Sequence, residues 1–166
     1  TNKYMYFVAN WKMFGDLRSL NSLNKVINFI NKNKKKKFKI IYCPPSTLIH
    51  PLTKVFKNTS IEVGAQNCHE SVNPGAYTGQ LNSRMLKGVG AKYIILGHSE
   101  NRQSGENDRL INLKIKAAIQ SGLKVIFCIG ETLSEKKNKI TKKILARQIS
   151  IGLNKIKKKK DIFIAY

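Results

Sequence analysis

The sequence predicts an α/β protein with a parallel sheet, because short apolar segments of strand-like composition alternate with segments whose apolar residues recur at helical spacing. Each strand and the helix after it together occupy roughly 25 to 35 residues, which suits βαβ units. The chain has 166 residues of which 42% are hydrophobic, and this is enough for a genuine core. We expect a single domain over residues 1–166, because no linker rich in Pro, Gly or Ser interrupts the alternation. Periodicity alone leaves an open doubly wound sheet and a closed barrel as alternatives.

Six strands are expected from apolar runs that end at Gly, Pro or polar residues. The first lies within Lys3–Trp11, and the others cover Phe38–Cys43, Ile61–Ala65, Tyr93–Leu96, Val125–Ile129 and Asp161–Ala165. Helices are expected between them, with apolar residues at Leu17, Leu20, Leu23, Ile27 and Ile30, then Leu48, Leu52, Val55 and Phe56, then Leu81, Met85, Leu86 and Val89, then Leu110, Leu113, Ala117 and Ala118, then Ile140, Ile144, Leu145, Ile149 and Leu153. Gly15 and Asp16 open the first helix, and Ser46 or Thr47 is expected to cap the second.

The formal net charge of +22 comes almost entirely from lysine, in runs such as Lys34–Lys37 and Lys157–Lys160. A basic protein that binds nucleic acid or another polyanion is therefore an alternative function. Lysine far outnumbers arginine, however, no aromatic residue interrupts the runs, and both runs directly precede predicted strands. Lys, Asn and Ile, the residues of A/T-rich codons, are all abundant. We therefore favour mutational bias on a solvated surface and expect no nucleic-acid partner.

The three cysteines, Cys43, Cys68 and Cys128, lie far apart and form no C-x-x-C pair. This pattern indicates neither a disulfide framework nor a zinc site, and we expect no metal. Reduced thiols fit a cytoplasmic location. No apolar run approaches the roughly 20 residues that span a bilayer, and no signal-like segment begins the chain, so we expect no membrane partner.

Candidate catalytic residues follow two of the predicted strands. His98 and Glu100 come directly after the strand Tyr93–Leu96 and Gly97, and parallel α/β folds place their chemistry at the carboxyl ends of strands. Asn10 and Lys12 end the first strand, two residues apart, so strand alternation would project their side chains to the same side. Taken alone, each of these residues is more simply an ordinary loop or surface residue. No G-x-G-x-x-G follows the first strand, which argues against the open nucleotide-binding sheet.

Five ordered motifs resemble those of the triosephosphate isomerase family. They are ANWKMFG at Ala9–Gly15, GAYTGQ at Gly75–Gln80, GHSENR at Gly97–Arg102, CIGETL at Cys128–Leu133 and IAY at Ile164–Tyr166. The resemblance runs through the whole chain and corresponds to the N-terminal two-thirds of that family. It implies the closed (β/α)₈ TIM barrel, truncated here after about six strands, rather than the open sheet.

The resemblance also implies a function in glycolysis and gluconeogenesis, namely isomerisation of dihydroxyacetone phosphate and glyceraldehyde 3-phosphate through an enediolate without a cofactor. His98 matches the neutral imidazole electrophile of that family. Lys12 matches the cation beside the substrate, Asn10 a neighbouring hydrogen-bond donor, and Glu100 a carboxylate near that lysine. The family's catalytic glutamate would follow Tyr166, so we expect the chain as given to be nearly inactive.

A homodimer follows from the same resemblance, because GAYTGQ matches the loop that reaches into the partner subunit, with Thr78 near the partner's active site. Two departures from the family pattern affect this interface. The family usually has glutamate at the position of Gln80 and arginine at that of Asn101, and these form an ion pair between subunits. Both charges are missing here, so we expect an amide pair instead, which costs far less than one unpaired buried charge. Phe14 also stands where the family commonly has asparagine.

Overall fold

The computed structural model describes residues 4–33 and 37–166, which form one six-stranded sheet in the order β1-β2-β3-β4-β5-β6. All neighbouring strands are parallel. The strands are β1 (Met5–Asn10), β2 (Phe38–Cys43), β3 (Glu62–Ala65), β4 (Tyr93–Leu96), β5 (Lys124–Cys128) and β6 (Ile162–Ala165). The predicted α/β class is confirmed, and each described strand lies within one or two residues of its expected bounds.

The sheet is curled as in a barrel. A doubly wound sheet reverses its strand order at a switch point, whereas this order follows the chain without reversal. Tyr6 of β1 and Phe163 of β6 belong to the two outermost strands, yet their ring centroids are only 4.8 Å apart. Such a contact between opposite edges requires strong curvature, which supports the barrel-type winding predicted from the motifs.

Helices connect the successive strands on the convex side of the sheet. They are α1 (Asn24–Lys32), α2 (Ile49–Val55), α3 (Ser83–Gly88), α4 (Ser99–Gln103), α5 (Asp108–Gln120), α6 (Leu133–Lys137) and α7 (Thr141–Gly152). Short 3₁₀ helices cover Leu17–Leu23, Ser46–Leu48 and Lys159–Asp161.

The two predicted helix starts had different outcomes. Asp16 accepts a hydrogen bond from the backbone N–H of Ser19 and forms a capping box with it, as the helix start expected there requires. The cap expected from Ser46 or Thr47 is wrong, because both residues lie inside a 3₁₀ helix whose cap position is Pro45. The fixed φ of proline suits the extended backbone of Pro45 just after β2. The 3₁₀ turn therefore starts at Ser46, and a residue inside the turn cannot be its cap.

Strand β4 is buried on both faces, which explains its uninterrupted apolar run. Ile94 and Leu96 pack against the helices, together with Ile111 and Ile115 of α5. Tyr93 and Ile95 instead face the concave side, in a second cluster with Ile41, Cys43 and Ile126. Each fully buried isoleucine contributes about 1.5–3 kcal/mol relative to an exposed one. This strand is therefore a rigid support for whatever follows Leu96.

The buried face of α5 differs from the predicted one. Ala117 and Ala118 are buried as expected, but Leu113 is 49% exposed, and Ile111 and Ile115, which were not expected on this face, are fully buried. Helix α5 carries two overlapping apolar stripes, and periodicity cannot tell which of them the sheet will cover. The stripe that fits the convex face of β4 and β5 is the one with the two isoleucines.

The second lysine run, Lys157–Lys160, is exposed and directly precedes β6, as predicted. In the first run, residues 34–36 lie outside the described residues, and Lys37 is exposed just before β2. None of the helices among the described residues is long and apolar enough to cross a membrane.

Candidate active site

Lys12 and Glu100 connect the carboxyl ends of β1 and β4. The Lys12 Nζ atom lies 2.8 Å from Glu100 Oε1, and both side chains are about half exposed. Strand alternation does not account for this position, because β1 ends at Asn10 and Lys12 has a left-handed backbone with φ of 52°. The Asn10 Oδ1 atom accepts a hydrogen bond of 2.9 Å from the Lys12 backbone N–H. Asn10 therefore supports the turn that directs Lys12 towards β4.

His98 is placed by the turn that starts α4. Its Nδ1 atom accepts a hydrogen bond of 3.3 Å from the Glu100 backbone N–H and lies 3.4 Å from Glu100 Oε2. An Nδ1 atom that accepts an N–H carries no proton, so the hydrogen bond from Glu100 fits the tautomer with its proton on Nε2. Gly97 makes the approach to β5 possible, since its φ is +75° and a Cβ atom there would lie 2.8 Å from the Cys128 carbonyl oxygen.

Glu100 joins the two functional groups, because it contacts both Lys12 and His98. The hydrogen bond from Lys12 is the main cause that lowers the pKa of the Glu100 carboxyl, and the charge of Lys12 adds to it. Glu100 therefore stays ionised at neutral pH and loses the contact with Lys12 only as the pH falls through its lowered pKa. The three side chains form one connected polar group at the carboxyl end of the sheet.

Gln66 is a positioning residue that the sequence analysis missed. It directly follows β3, and its side-chain amide donates to the backbone carbonyl oxygens of Lys12 and Cys43, each at 2.8 Å. These two bonds tie the Lys12 turn to the end of β2. The signal was available in the sequence, because Gln66 is the first residue after β3, much as His98 is the second residue after β4.

Arg102 also holds the site together. Its guanidinium donates to the carbonyl oxygens of Gly97 at 2.7 Å and Cys128 at 3.2 Å, and pairs with Asp108 at 2.6 Å. The Arg102 side chain is only 17% exposed. Through these three contacts, Arg102 holds the ends of β4 and β5 against the start of α5. Nothing in the spacing of the sequence indicates this role.

Replacing Arg102 by lysine is expected to lower the free energy of unfolding by about 2 kcal/mol, because an ammonium cannot bridge two carbonyls and a carboxylate in the guanidinium geometry. Urea unfolding followed by circular dichroism measures the change. Arg147→Lys is the matched control, since Arg147 reaches the same Asp108 from a half-exposed position and should contribute less than about 1 kcal/mol. Equal effects of the two substitutions would contradict the bridging role of Arg102.

A cavity of about 650 Å³ opens beside His98, between the ends of β4, β5 and β6. Cys128, Glu131 and Tyr166 contribute to its wall. Glu131 Oε1 accepts hydrogen bonds of 3.2 Å from the Tyr166 hydroxyl and from the Thr141 hydroxyl. Its carboxylate raises the pKa of Tyr166, and burial raises the pKa of the Cys128 thiol. A small polar molecule can therefore lie against His98 at this end of the sheet.

The residues expected at a dimer interface lie apart from this cavity. Thr78 and Gln80 are exposed in a turn closed by a hydrogen bond of 3.0 Å from the Gln80 N–H to the Tyr77 carbonyl. Asn101 is partly buried in α4. Phe14 projects into solvent with 75% of its surface exposed. In the described single chain, Thr78, Gln80 and Phe14 are therefore accessible to a partner, and Asn101 is partly so.

Comparison with known proteins gives consistent matches. A family model described as triosephosphate isomerase matches residues 5–166. The triosephosphate isomerase of Thermodesulfovibrio yellowstonii is 44% identical over 163 residues, which are 97% of this chain and 65% of that protein. That of Aquifex aeolicus is 37% identical over 161 residues, 95% of this chain and 64% of that protein.

A crystal structure of triosephosphate isomerase from Bartonella henselae is similar with a TM-score of 0.90 and 35% sequence identity. The similarity covers 97% of this chain and 66% of that one. The chain therefore spans less than two thirds of the length of these curated relatives.

Proposed function

The chain belongs to the triosephosphate isomerase family, and we propose that it carries part of the active site for isomerisation of dihydroxyacetone phosphate and glyceraldehyde 3-phosphate. The observation that supports this proposal most is the contact chain from Lys12 through Glu100 to His98. It combines a cation, a carboxylate and an imidazole. His98 lines the cavity of about 650 Å³, and Lys12 and Glu100 line a second cavity of about 550 Å³. We place this activity in glycolysis and in the cytoplasm, and assign no cofactor to it.

In this proposal, His98 acts through its Nε2–H. Proton removal next to the substrate carbonyl builds negative charge on oxygen, and a preorganised donor stabilises that charge more than it stabilises the ground state. A neutral donor also has a proton affinity suited to sharing a proton with an enediolate. The hydrogen bond from the Glu100 N–H to Nδ1 supports the assignment of the Nε2–H tautomer.

Lys12 would supply a fixed positive charge for an anionic substrate, and Asn10 and Gln66 would hold the turn that presents it. Glu100 would orient the Lys12 ammonium, since the two lie 2.8 Å apart. Arg102 would keep His98 and the end of β5 at a constant separation. Asn10, Gln66 and Arg102 are thus positioning residues, whereas Lys12 and His98 would touch the substrate.

The general base is the one component that these residues do not supply. Among the described residues near His98, Glu100 is bound to Lys12, and Glu131 accepts from Tyr166 and Thr141. Neither carboxylate is free to take a proton from carbon. A positioned base contributes about 10²–10⁴-fold to such a reaction. We therefore propose that the 166 residues alone have very low activity.

The test compares the 166-residue chain with a chimaera in which it is joined to the part of the Thermodesulfovibrio yellowstonii relative that lies outside the match. A coupled assay measures interconversion of the triose phosphates for both proteins. We expect activity in the chimaera at least 10²-fold above that of the chain alone. A chimaera that folds, by circular dichroism, but shows no activity would contradict the proposed function.

We also propose that the protein forms a homodimer in which Gln80 and Asn101 of opposite subunits form an amide pair. Gln80→Ala or Asn101→Ala is expected to raise the dimer dissociation constant about thirtyfold, because each removes a net hydrogen bond of about 1 kcal/mol from both symmetry-related pairs of the dimer. Sedimentation equilibrium of the chimaera measures this constant. Gln103→Ala, an exposed substitution in the same helix, is the control. The pairing is wrong if Gln80→Ala behaves like the control.

A further inference from the structure

The fold separates the charges of this chain between the two ends of the sheet. Of nine acidic residues, seven lie in segments that follow the carboxyl ends of strands: Asp16, Glu70, Glu100, Glu106, Asp108, Glu131 and Glu135. The other two, Glu62 and Asp161, lie at the amino-terminal starts of β3 and β6. The candidate active site is therefore at the end that carries most of the negative charge.

The opposite end carries an excess of lysine. In a parallel sheet, the helix-to-strand connections and the strand starts meet at one end. Among the described residues, this end holds eleven lysines: Lys37, Lys39, Lys57, Lys87, Lys92, Lys124, Lys155, Lys157, Lys158, Lys159 and Lys160. We call this set the basic face. Only Glu62 and Asp161 oppose its charge there.

Ion pairs and a hydrogen bond join several neighbouring helix-to-strand connections of the basic face. Glu62 lies 3.3 Å from Lys92 and 3.9 Å from Lys39, which joins the starts of β2, β3 and β4. The Lys87 ammonium donates to the Gly122 carbonyl of the next connection. Lys157–Lys160 are exposed beside β6. Because strands lie about 4.8 Å apart, the face follows an arc of about 24 Å around the curled sheet.

From this separation we propose that the basic face binds the phosphodiester backbone of nucleic acid without sequence preference. Lysine provides point charges rather than the bidentate contacts that read bases, so the binding is electrostatic. The sequence argued against such a partner because lysine far outnumbers arginine and no aromatic residue interrupts the lysine runs, whereas the fold places eleven of the described lysines at one end of the sheet.

An anionic membrane surface is the other polyanion that lysines attract, and the structure favours it less. Membrane-surface proteins combine basic residues with exposed apolar anchors. The most exposed large apolar side chains, Met13, Phe14, Leu17, Leu133 and Tyr166, lie in segments after strand ends, away from the basic face. Among the described residues, Met5 at the start of β1 is the one large apolar side chain at the other end that is more than 60% exposed. The basic face thus offers far more charge than apolar anchor, which suits a phosphate backbone.

The experiment measures binding of the 166-residue chain to a labelled 20-base-pair DNA duplex and to a single-stranded RNA by fluorescence anisotropy between 50 and 200 mM salt. We expect a dissociation constant of about 10⁻⁶–10⁻⁴ M that rises steeply with salt. Binding to either nucleic acid supports the proposal and identifies the form preferred. Absence of binding to both at 50 mM salt overturns it.

Two triple variants distinguish binding by the basic face from binding that depends only on the net charge of the protein. Lys157→Gln, Lys158→Gln and Lys160→Gln together remove three charges from the basic face, and Lys137→Gln, Lys139→Gln and Lys142→Gln remove three exposed charges after β5. We expect the first variant to lose at least tenfold in affinity and to make the slope of log K against log [salt] shallower by about 2.7, at 0.9 for each lost contact. The second should change affinity less than twofold.

Equal losses in the two triple variants would overturn the proposal, because binding would then follow net charge. Tighter binding to vesicles containing 30% phosphatidylserine than to either nucleic acid would overturn it as well, in favour of a membrane surface. These outcomes do not depend on isomerase activity, since the basic face lies at the other end of the sheet from His98.

Discussion

Replacement of Lys12 by methionine is expected to lower kcat/KM of the chimaera by about 10³-fold, the upper range for removal of one preorganised electrostatic donor. Methionine keeps much of the length of the lysine stem but carries no charge. The substrate phosphate and the developing enediolate are both negative, so KM should rise and kcat should fall. The coupled triose phosphate assay resolves the two parameters.

Two further measurements distinguish a functional Lys12 from a structural one. The pKa of the Glu100 carboxyl, lowered mainly by Lys12 in the parent protein, should rise towards its ordinary value in the Lys12→Met variant, as followed by NMR titration. Lys137→Met, at an exposed position of α6, is the matched control and should leave kcat/KM within twofold. Activity close to that of the parent in Lys12→Met would exclude Lys12 from the reaction.

Replacement of His98 by glutamine is expected to lower kcat of the chimaera by about 10²-fold with little change in KM, because the imidazole would stabilise charge that exists only in the transition state. Glutamine retains a neutral N–H donor but cannot exchange a proton with the enediolate.

His50→Gln is the control for this substitution. His50 is exposed in α2, so the same chemical change there should leave kcat unaltered. Thermal unfolding of both variants separates a loss of stability from a loss of catalysis, since the His98 side chain is only 23% exposed. A His98→Gln variant with unchanged kcat would contradict its role as the electrophile.

The pattern of the sequence was sufficient to predict the order of elements. Strand β4 was recognisable because four consecutive apolar residues are bounded by Lys92 and Gly97, and burial on both faces needs such a run. The carboxyl ends of β1 and β4 were recognisable as sites because polar residues follow them at once. The cap at Asp16 was predictable since capping is local. The cap at Ser46 was predicted wrongly, because Pro45 takes the cap position and Ser46 lies inside the turn.

Side-chain partners over long distances were not predictable in the same way. Arg102 gave no signal of its contact with the Cys128 carbonyl, 26 residues away. The position of Lys12 depends on its own left-handed backbone and on the hydrogen bond from the side chain of Gln66, 54 residues further along the chain. The choice between the two apolar stripes of α5 depended on the shape of the sheet beneath it.

The sequence by itself determined the α/β class, the family and the residue types at the strand ends, because periodicity, composition and local motifs depend only on residues that are close together in the sequence. Only the tertiary structure decided which of those residues meet. The contact of Lys12 with Glu100, and the gathering of the lysines at one end of the sheet, arise because parallel strands bring all their carboxyl ends to one side and all their starts to the other. Interactions between distant segments depend on that geometry, which no local pattern encodes.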